Sequence, residues 1–192
     1  MTVTPHTDSE PASILHAALA AHDAGLSVIP IRDDGTKKPA LPWKQYQTER
    51  ADRQQVRAWF APGKHRAIGV VCGKVSGWLT MLEMEGWAFN ADYWQAFKDA
   101  AETALGKQRW AEIVRYVELS PTGGPHIYFR CPEHEVGNLK LARGLNDDGE
   151  LVVMMETRGE GGYSVIAGSE GHPTGNPWRA VQGTIDDICD VT

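Results

Sequence analysis

Apolar positions in this chain fall mostly into short runs closed off by glycine, proline and small polar residues, with two longer helical stretches among them. Residues 12–24 are rich in alanine, leucine and histidine and stop at Gly25. Asp8-Ser9-Glu10-Pro11 ahead of them offers a capping side chain and a first-turn proline, so a helix is predicted there. Residues 26–31 then read as a short buried strand. Asp52, with Gln55 three residues on, predicts a second helix that ends before Pro62. Strand-like runs follow at 67–73 and 78–85, and Lys74-Val75-Ser76-Gly77 between them reads as a hairpin turn. A helix is predicted over 88–105, stopped by Gly106, and further strands at 113–119, 126–131, 151–156 and 163–167. Helices early and central, with several short strands between, indicate an α+β fold with a mainly antiparallel sheet.

At 192 residues the chain suits one domain, expected over 1–182, with 183–192 as an acidic tail or the start of a linker. Cys72, Cys131 and Cys189 are widely spaced and odd in number, which argues for free thiols and a reducing, cytoplasmic setting. No apolar run approaches the roughly 20 residues of a bilayer span, so no membrane partner is expected. Charge sharpens the picture. With 25 acidic and 19 basic residues, the formal net charge of −6 disfavours a purely electrostatic DNA-binding module. It is compatible with an enzyme whose carboxylates hold metal ions.

Glu83 and Glu85 stand two apart at the end of an apolar strand, so period-two alternation puts both on one face. Two carboxylates so placed repel unless a cation lies between them, and all-oxygen ligation suits Mg²⁺ or Mn²⁺. The solvated end of an edge strand accounts for them equally well. Glu156 closes another apolar run; it either completes a three-carboxylate site or pairs locally with Arg158. His126 follows Gly123-Gly124-Pro125 and opens a strand in which Arg130 shares its face. The stretch Arg158-Gly159-Glu160-Gly161-Gly162-Tyr163 lacks the spacing of either phosphate-binding glycine motif and reads as a tight hairpin. Cys131-Pro132-Glu133-His134 looks like half a zinc site without a second half.

The order of these segments is more specific than any one of them. Gly25 to Ile31, Lys38-Pro39 with Trp43, Ile68 to Gly73, Ser76 to Glu85, Ser120 to Phe129, and Glu156 to Tyr163 followed by Ser169 together resemble a known domain. This is the bifunctional primase-polymerase domain of the archaeo-eukaryotic primase superfamily, found in phage and plasmid replication proteins. The resemblance implies an RRM-like, mainly antiparallel sheet joined to a second α/β unit. It implies Glu83, Glu85 and Glu156 as metal ligands for Mg²⁺ or Mn²⁺, and His126 at the phosphates of an incoming dNTP or NTP. Arg158, Lys38 and Gly124 are the further nucleotide- or DNA-contacting candidates. DNA template and primer would be the partners, with a helicase domain in the full-length protein, in the host cytoplasm if phage-encoded.

Two departures stand out. The family usually has aspartate at some of the three metal positions, where this chain has glutamate throughout. Gly124 stands where the histidine motif often carries serine, which would leave that phosphate contact to backbone N–H groups. A metal-dependent nuclease and a catalytically weak DNA-binding replication module are the rival readings.

Overall fold

The structure, a computed structural model, describes residues 13–90 and 93–191. Ser13 caps α1 (Ile14–Asp23), its hydroxyl accepting the His16 N–H, and Gly25 ends the helix at φ +87°. The helix start expected at Asp8–Pro11 lies outside the described residues. α2 (Arg53–Trp59) begins as the sequence indicates, with the Asp52 carboxylate accepting the Gln55 N–H at 2.7 Å.

Among the described residues the strands form two sheets. The smaller has the order β1 (Ser27–Ile31), β2 (Ala67–Val71), β8 (Tyr163–Val165), and is antiparallel throughout. The larger runs β6 (Lys140–Leu145), β7 (Leu151–Arg158), β3 (Leu79–Met84), β5 (Pro125–Arg130), β4 (Val117–Leu119), β9 (Arg179–Gln182). β10 (Cys189–Asp190) lies parallel beside β5, the one pairing in this sheet that is not antiparallel. The fold is thus α+β and mainly antiparallel.

Alternation along the strands gives the larger sheet two different faces. Leu82 and Ile127 point to one face, where α3 (Gly86–Asn90) contributes Ala88, α4 (Tyr93–Leu105) Trp94 and Phe97, and α5 (Lys107–Ile113) Trp110. Leu79, Met81 and Tyr128 point the other way, into the main core shared with Ile29, Ile68 and Val70 of the smaller sheet and with α1 and α2.

Several expectations are corrected. β2 and β3 do not form a hairpin; only a Gly73–Leu79 bridge links their ends, and the strands belong to different sheets. The linking residues form a 3-10 turn (Lys74–Ser76) fixed to the smaller sheet. There the buried Ser76 hydroxyl donates to the Val71 carbonyl and accepts the Ser27 N–H. Arg158 to Tyr163 is likewise a crossing between sheets, since β7 pairs with β3 and β8 with β2. The two crossings touch. The Glu160 carboxylate accepts the Lys74 N–H, and a Cβ on Gly73 would come within 2.2 Å of a Glu160 oxygen. The stretch 88–105 holds the end of α3 and all of α4, and α5 occupies the approach to β4, which begins at Val117 rather than at 113. β6, β9 and β10 have no counterpart among the predicted strands. The segment from Gly183, expected as a tail or linker, carries β10 and the buried Ile188, so it packs as part of the fold.

Candidate active site

Three neighbouring strands of the larger sheet set the site in one row. Glu83 on β3 is the register partner of Glu156 on β7 and of His126 on β5. Residues directly opposite on one face have neighbouring side chains, so the row places two carboxylates and an imidazole together. Glu85 follows two residues after Glu83, held by its N–H to the Met154 carbonyl at 2.9 Å. Carboxylate oxygens of Glu83, Glu85 and Glu156 lie within 4.8 Å of one another. With His126 and Arg158 they line a cleft of about 520 Å³, whose other walls include Lys37, Trp43, Tyr163 and Trp178.

The electrostatics reflect crowding. Burial raises the Glu85 carboxyl above the ordinary carboxylate range, and the charges of Glu83 and Glu156 add to it. Glu156 is also raised, by burial first and by Glu83, against the opposing pull of the Arg158 guanidinium hydrogen-bonded to it. Glu83 behaves differently. Burial acts to raise it, yet His126 beside it, helped by Lys37 and Arg158, brings it below the usual range. His126 is 4% exposed, and its Nε2 lies 3.2 Å from Glu83 Oε1, at ion-pair distance though not aligned as a hydrogen bond. Its Nδ1 has no hydrogen-bond partner among the described residues. Burial pulls the imidazole pKa down, but Glu83 and, behind it, Glu118 raise it overall.

Of the residues singled out in the sequence, Glu83, Glu85, Glu156, His126 and Arg158 converge. Lys38 does not line the cleft; its neighbour Lys37 does. Gly124 also lies outside it. The Gly124 N–H donates to the Ser120 hydroxyl and that of Gly123 to the Ser120 carbonyl, so neither amide is free to replace the missing serine contact. Arg130, on the strand of His126, donates to the Ile188 and Ala24 carbonyls. Cys131 and His134 join no metal-binding cluster of three among the described residues.

Sequence reasoning missed Glu118, the register partner of His126 on β4. It is fully buried, accepting hydrogen bonds from the Tyr116 and Tyr128 hydroxyls at 2.5 and 3.2 Å. Tyr128 is also bonded to Ser164 of the smaller sheet at 2.9 Å, so this network joins the sheets beneath the cleft. The signal was a lone carboxylate at the centre of a strand whose neighbours Val117 and Leu119 are apolar.

Three mutually repelling carboxylates with only oxygen to offer fit a hard divalent cation, and longer glutamate side chains still converge. Such a cluster on a sheet, beside a buried histidine and an arginine, defines a site suited to phosphoryl transfer. The family model for the bifunctional DNA primase/polymerase, N-terminal, matches residues 17–191, and the chain belongs to that family. Membership implies DNA primase/polymerase activity in replication, with DNA and nucleotides as substrates. No curated protein matches the chain. Among the described residues no helix is long and apolar enough to cross a membrane.

Proposed function

We propose that the chain carries out template-directed nucleotidyl transfer, as a DNA primase, a DNA polymerase or both, at the cleft over β3, β5 and β7. The observation that carries this reading is the convergence of Glu83, Glu85 and Glu156 beside His126 and Arg158. Glu83, Glu85 and Glu156 are the residues to hold a pair of Mg²⁺ or Mn²⁺ ions. Bound there, the ions supply activation of a 3′-hydroxyl and neutralisation of the departing pyrophosphate. In the reaction the 3′-oxygen bonds to the α-phosphorus of a dNTP or NTP, and the bond to the bridging oxygen of the β-phosphate breaks.

The protein's own groups position the triphosphate. His126 offers ring nitrogens that no described residue takes as hydrogen-bond partners, and Arg158 a half-exposed guanidinium, for phosphate oxygens. Template and primer would cross the sheet face, held mainly through their backbones. The resemblance supports a setting in phage or plasmid replication, in the host cytoplasm, with a helicase domain in the full-length protein.

Extension of a labelled primer on a DNA template, with dNTPs or NTPs and Mg²⁺ or Mn²⁺, tests the reading. Extension by the native chain that the double variant Glu83→Ala, Glu85→Ala lacks is the expected result. Shortening of the primer would instead indicate a nuclease. Metal-independent DNA binding without extension, unchanged by Glu83→Gln, would indicate a binding module.

A further inference from the structure

Lys37 adopts a left-handed backbone conformation, with φ +60°. A non-glycine residue rarely does so, and such a conformation persists only where its surroundings fix it. Beside the local bond from the Arg32 N–H to the Lys38 carbonyl, one contact comes from far along the chain: the Tyr163 hydroxyl donates to the Lys37 carbonyl at 3.0 Å. Tyr163 is itself set by Trp43, whose ring meets it edge-to-face with centroids 5.0 Å apart. Beyond this clamp the Lys37 ammonium lies 5.8 Å from the Trp178 ring centroid, within cation–π range. All four residues line the cleft that holds the three glutamates. Yet among the described residues the ammonium forms no ion pair, although it is near enough to influence Glu83, Glu85 and His126. An exposed cation that lines an acidic cleft without a carboxylate partner among the described residues is placed for an incoming anion.

We infer that Tyr163 is a positioning residue that, through the Lys37 carbonyl, holds the Lys37 ammonium in the cleft as a receptor for the phosphates of a nucleoside triphosphate. The inference rests on the proposed nucleotidyl-transfer reading and gives roles to Tyr163, which closes the last motif, and to Lys37, which the motifs pass over for Lys38. While bonded to Lys37, the tyrosine hydroxyl is directed at a backbone carbonyl.

Equilibrium titration of the chain with a dNTP and the matching monophosphate, alongside steady-state extension, tests this. Lys37→Ala is expected to weaken triphosphate binding about ten-fold, the monophosphate less, with Lys37→Arg retaining most of it. Tyr163→Phe keeps the ring against Trp43 and loses the hydroxyl. It should weaken triphosphate binding about three-fold and raise KM with kcat little changed. In the Lys37→Ala background, Tyr163→Phe should add nothing. Equal losses in both backgrounds would put Tyr163 directly on the substrate and overturn the inference. So would a Lys37→Ala variant with native affinity while His126→Ala loses it, an outcome that leaves the site reading standing. Absence of triphosphate binding by the native chain would overturn both.

Discussion

Glu83 and His126 are register partners on β3 and β5, with imidazole Nε2 3.2 Å from the carboxylate. The pair serves both members: the imidazole offsets the cost of a largely buried carboxylate, and the carboxylate favours a protonated ring. His126→Ala removes the charge nearest Glu83 while leaving Glu85 and Glu156 to repel it. The variant is expected to be destabilised by about 3 kcal/mol, the low end for breaking a buried pair, and to lose extension about 100-fold or more. Thermal melts with and without Mn²⁺ check the cause, because the ion should recover part of the lost stability. A variant that melts like the native chain in both conditions would show that the pair carries no such load.

On the proposed reading, the same crowding sets metal binding at the glutamate cluster against stability. Glu85 sits with its pKa raised by burial and by the charges of Glu83 and Glu156. Glu85→Gln removes one of three repelling charges, so the metal-free protein should melt at a higher temperature than the native chain. Adding Mg²⁺ or Mn²⁺ should reverse the order. An ion at about 100 times its Kd stabilises the native chain by about 2.7 kcal/mol, and the variant by less. Melting curves with chelator and with metal decide it; a variant less stable than the native chain in chelator would contradict the repulsion.

Much of this site was legible because strand periodicity and motif order fix which residues share a face. Alternation put Glu83 and Glu85 on one face but left them equally readable as a solvated strand end, and it was the order of motifs that joined Glu156 and His126 to them. What periodicity does not carry is partnership between strands. The 67–73 and 78–85 runs look like a hairpin because each alternates and a turn lies between them. The pairing of β2 with β1 and β8, and of β3 with β5 and β7, shows the chain leaving one sheet for the other, with Ser76 bonded to Val71 and Ser27 at the crossing. Lys37 and Lys38 could both be taken for triphosphate or DNA contacts, or for merely solvated lysines, and they could not be told apart for a related reason. In Lys37-Lys38-Pro39 the two ammonium groups are equivalent in sequence, and the Tyr163 contact that distinguishes them spans 126 residues. β6 escaped because its side chains are largely exposed and its pairing with β7 contains register shifts, which blur alternation.

Glu118 gives a prediction in pH. Burial is the largest influence on its carboxyl and raises the pKa; the Tyr116 hydroxyl, the Ala167 amide, His126 and the Tyr128 hydroxyl oppose it without cancelling it. A carboxyl whose folded pKa exceeds its unfolded value of about 4.5 adds stability while protonated. That contribution is complete below the unfolded pKa and is lost as pH rises through the folded one. Glu118→Gln has no such titration and keeps an acceptor for one tyrosine. The native chain should therefore lose stability relative to this variant as pH rises from about 4.5 through the folded pKa, by up to about 1.4 kcal/mol per pH unit over that range. Paired denaturation curves across that range measure the difference, and a constant difference would mean that the carboxyl does not titrate as its surroundings require.

Gly123 and Gly124 are neighbours with different reasons to be glycine, and substituting each separates them. Gly123 has φ +88° and open space around the position of a Cβ, so Gly123→Ala meets only backbone strain, about 1–2 kcal/mol. Gly124 is close-packed: a Cβ there would lie 2.4 Å from the Met84 carbonyl oxygen and 2.9 Å from the Gly86 nitrogen. Both atoms belong to the backbone that carries Glu85, and Gly124 stands two residues before His126. Gly124→Ala must therefore push the start of β5 away from the end of β3, which changes the spacing between the imidazole and the carboxylates. Overpacking of this kind costs about 1–3 kcal/mol, and a shift of about 1 Å at a reacting centre costs about 100-fold in rate. Primer extension, measured where both variants are fully folded, should show Gly123→Ala close to native and Gly124→Ala severely reduced. Similar rates for the two would mean that the contact between Gly124 and the Met84–Gly86 backbone does not set the geometry of the site.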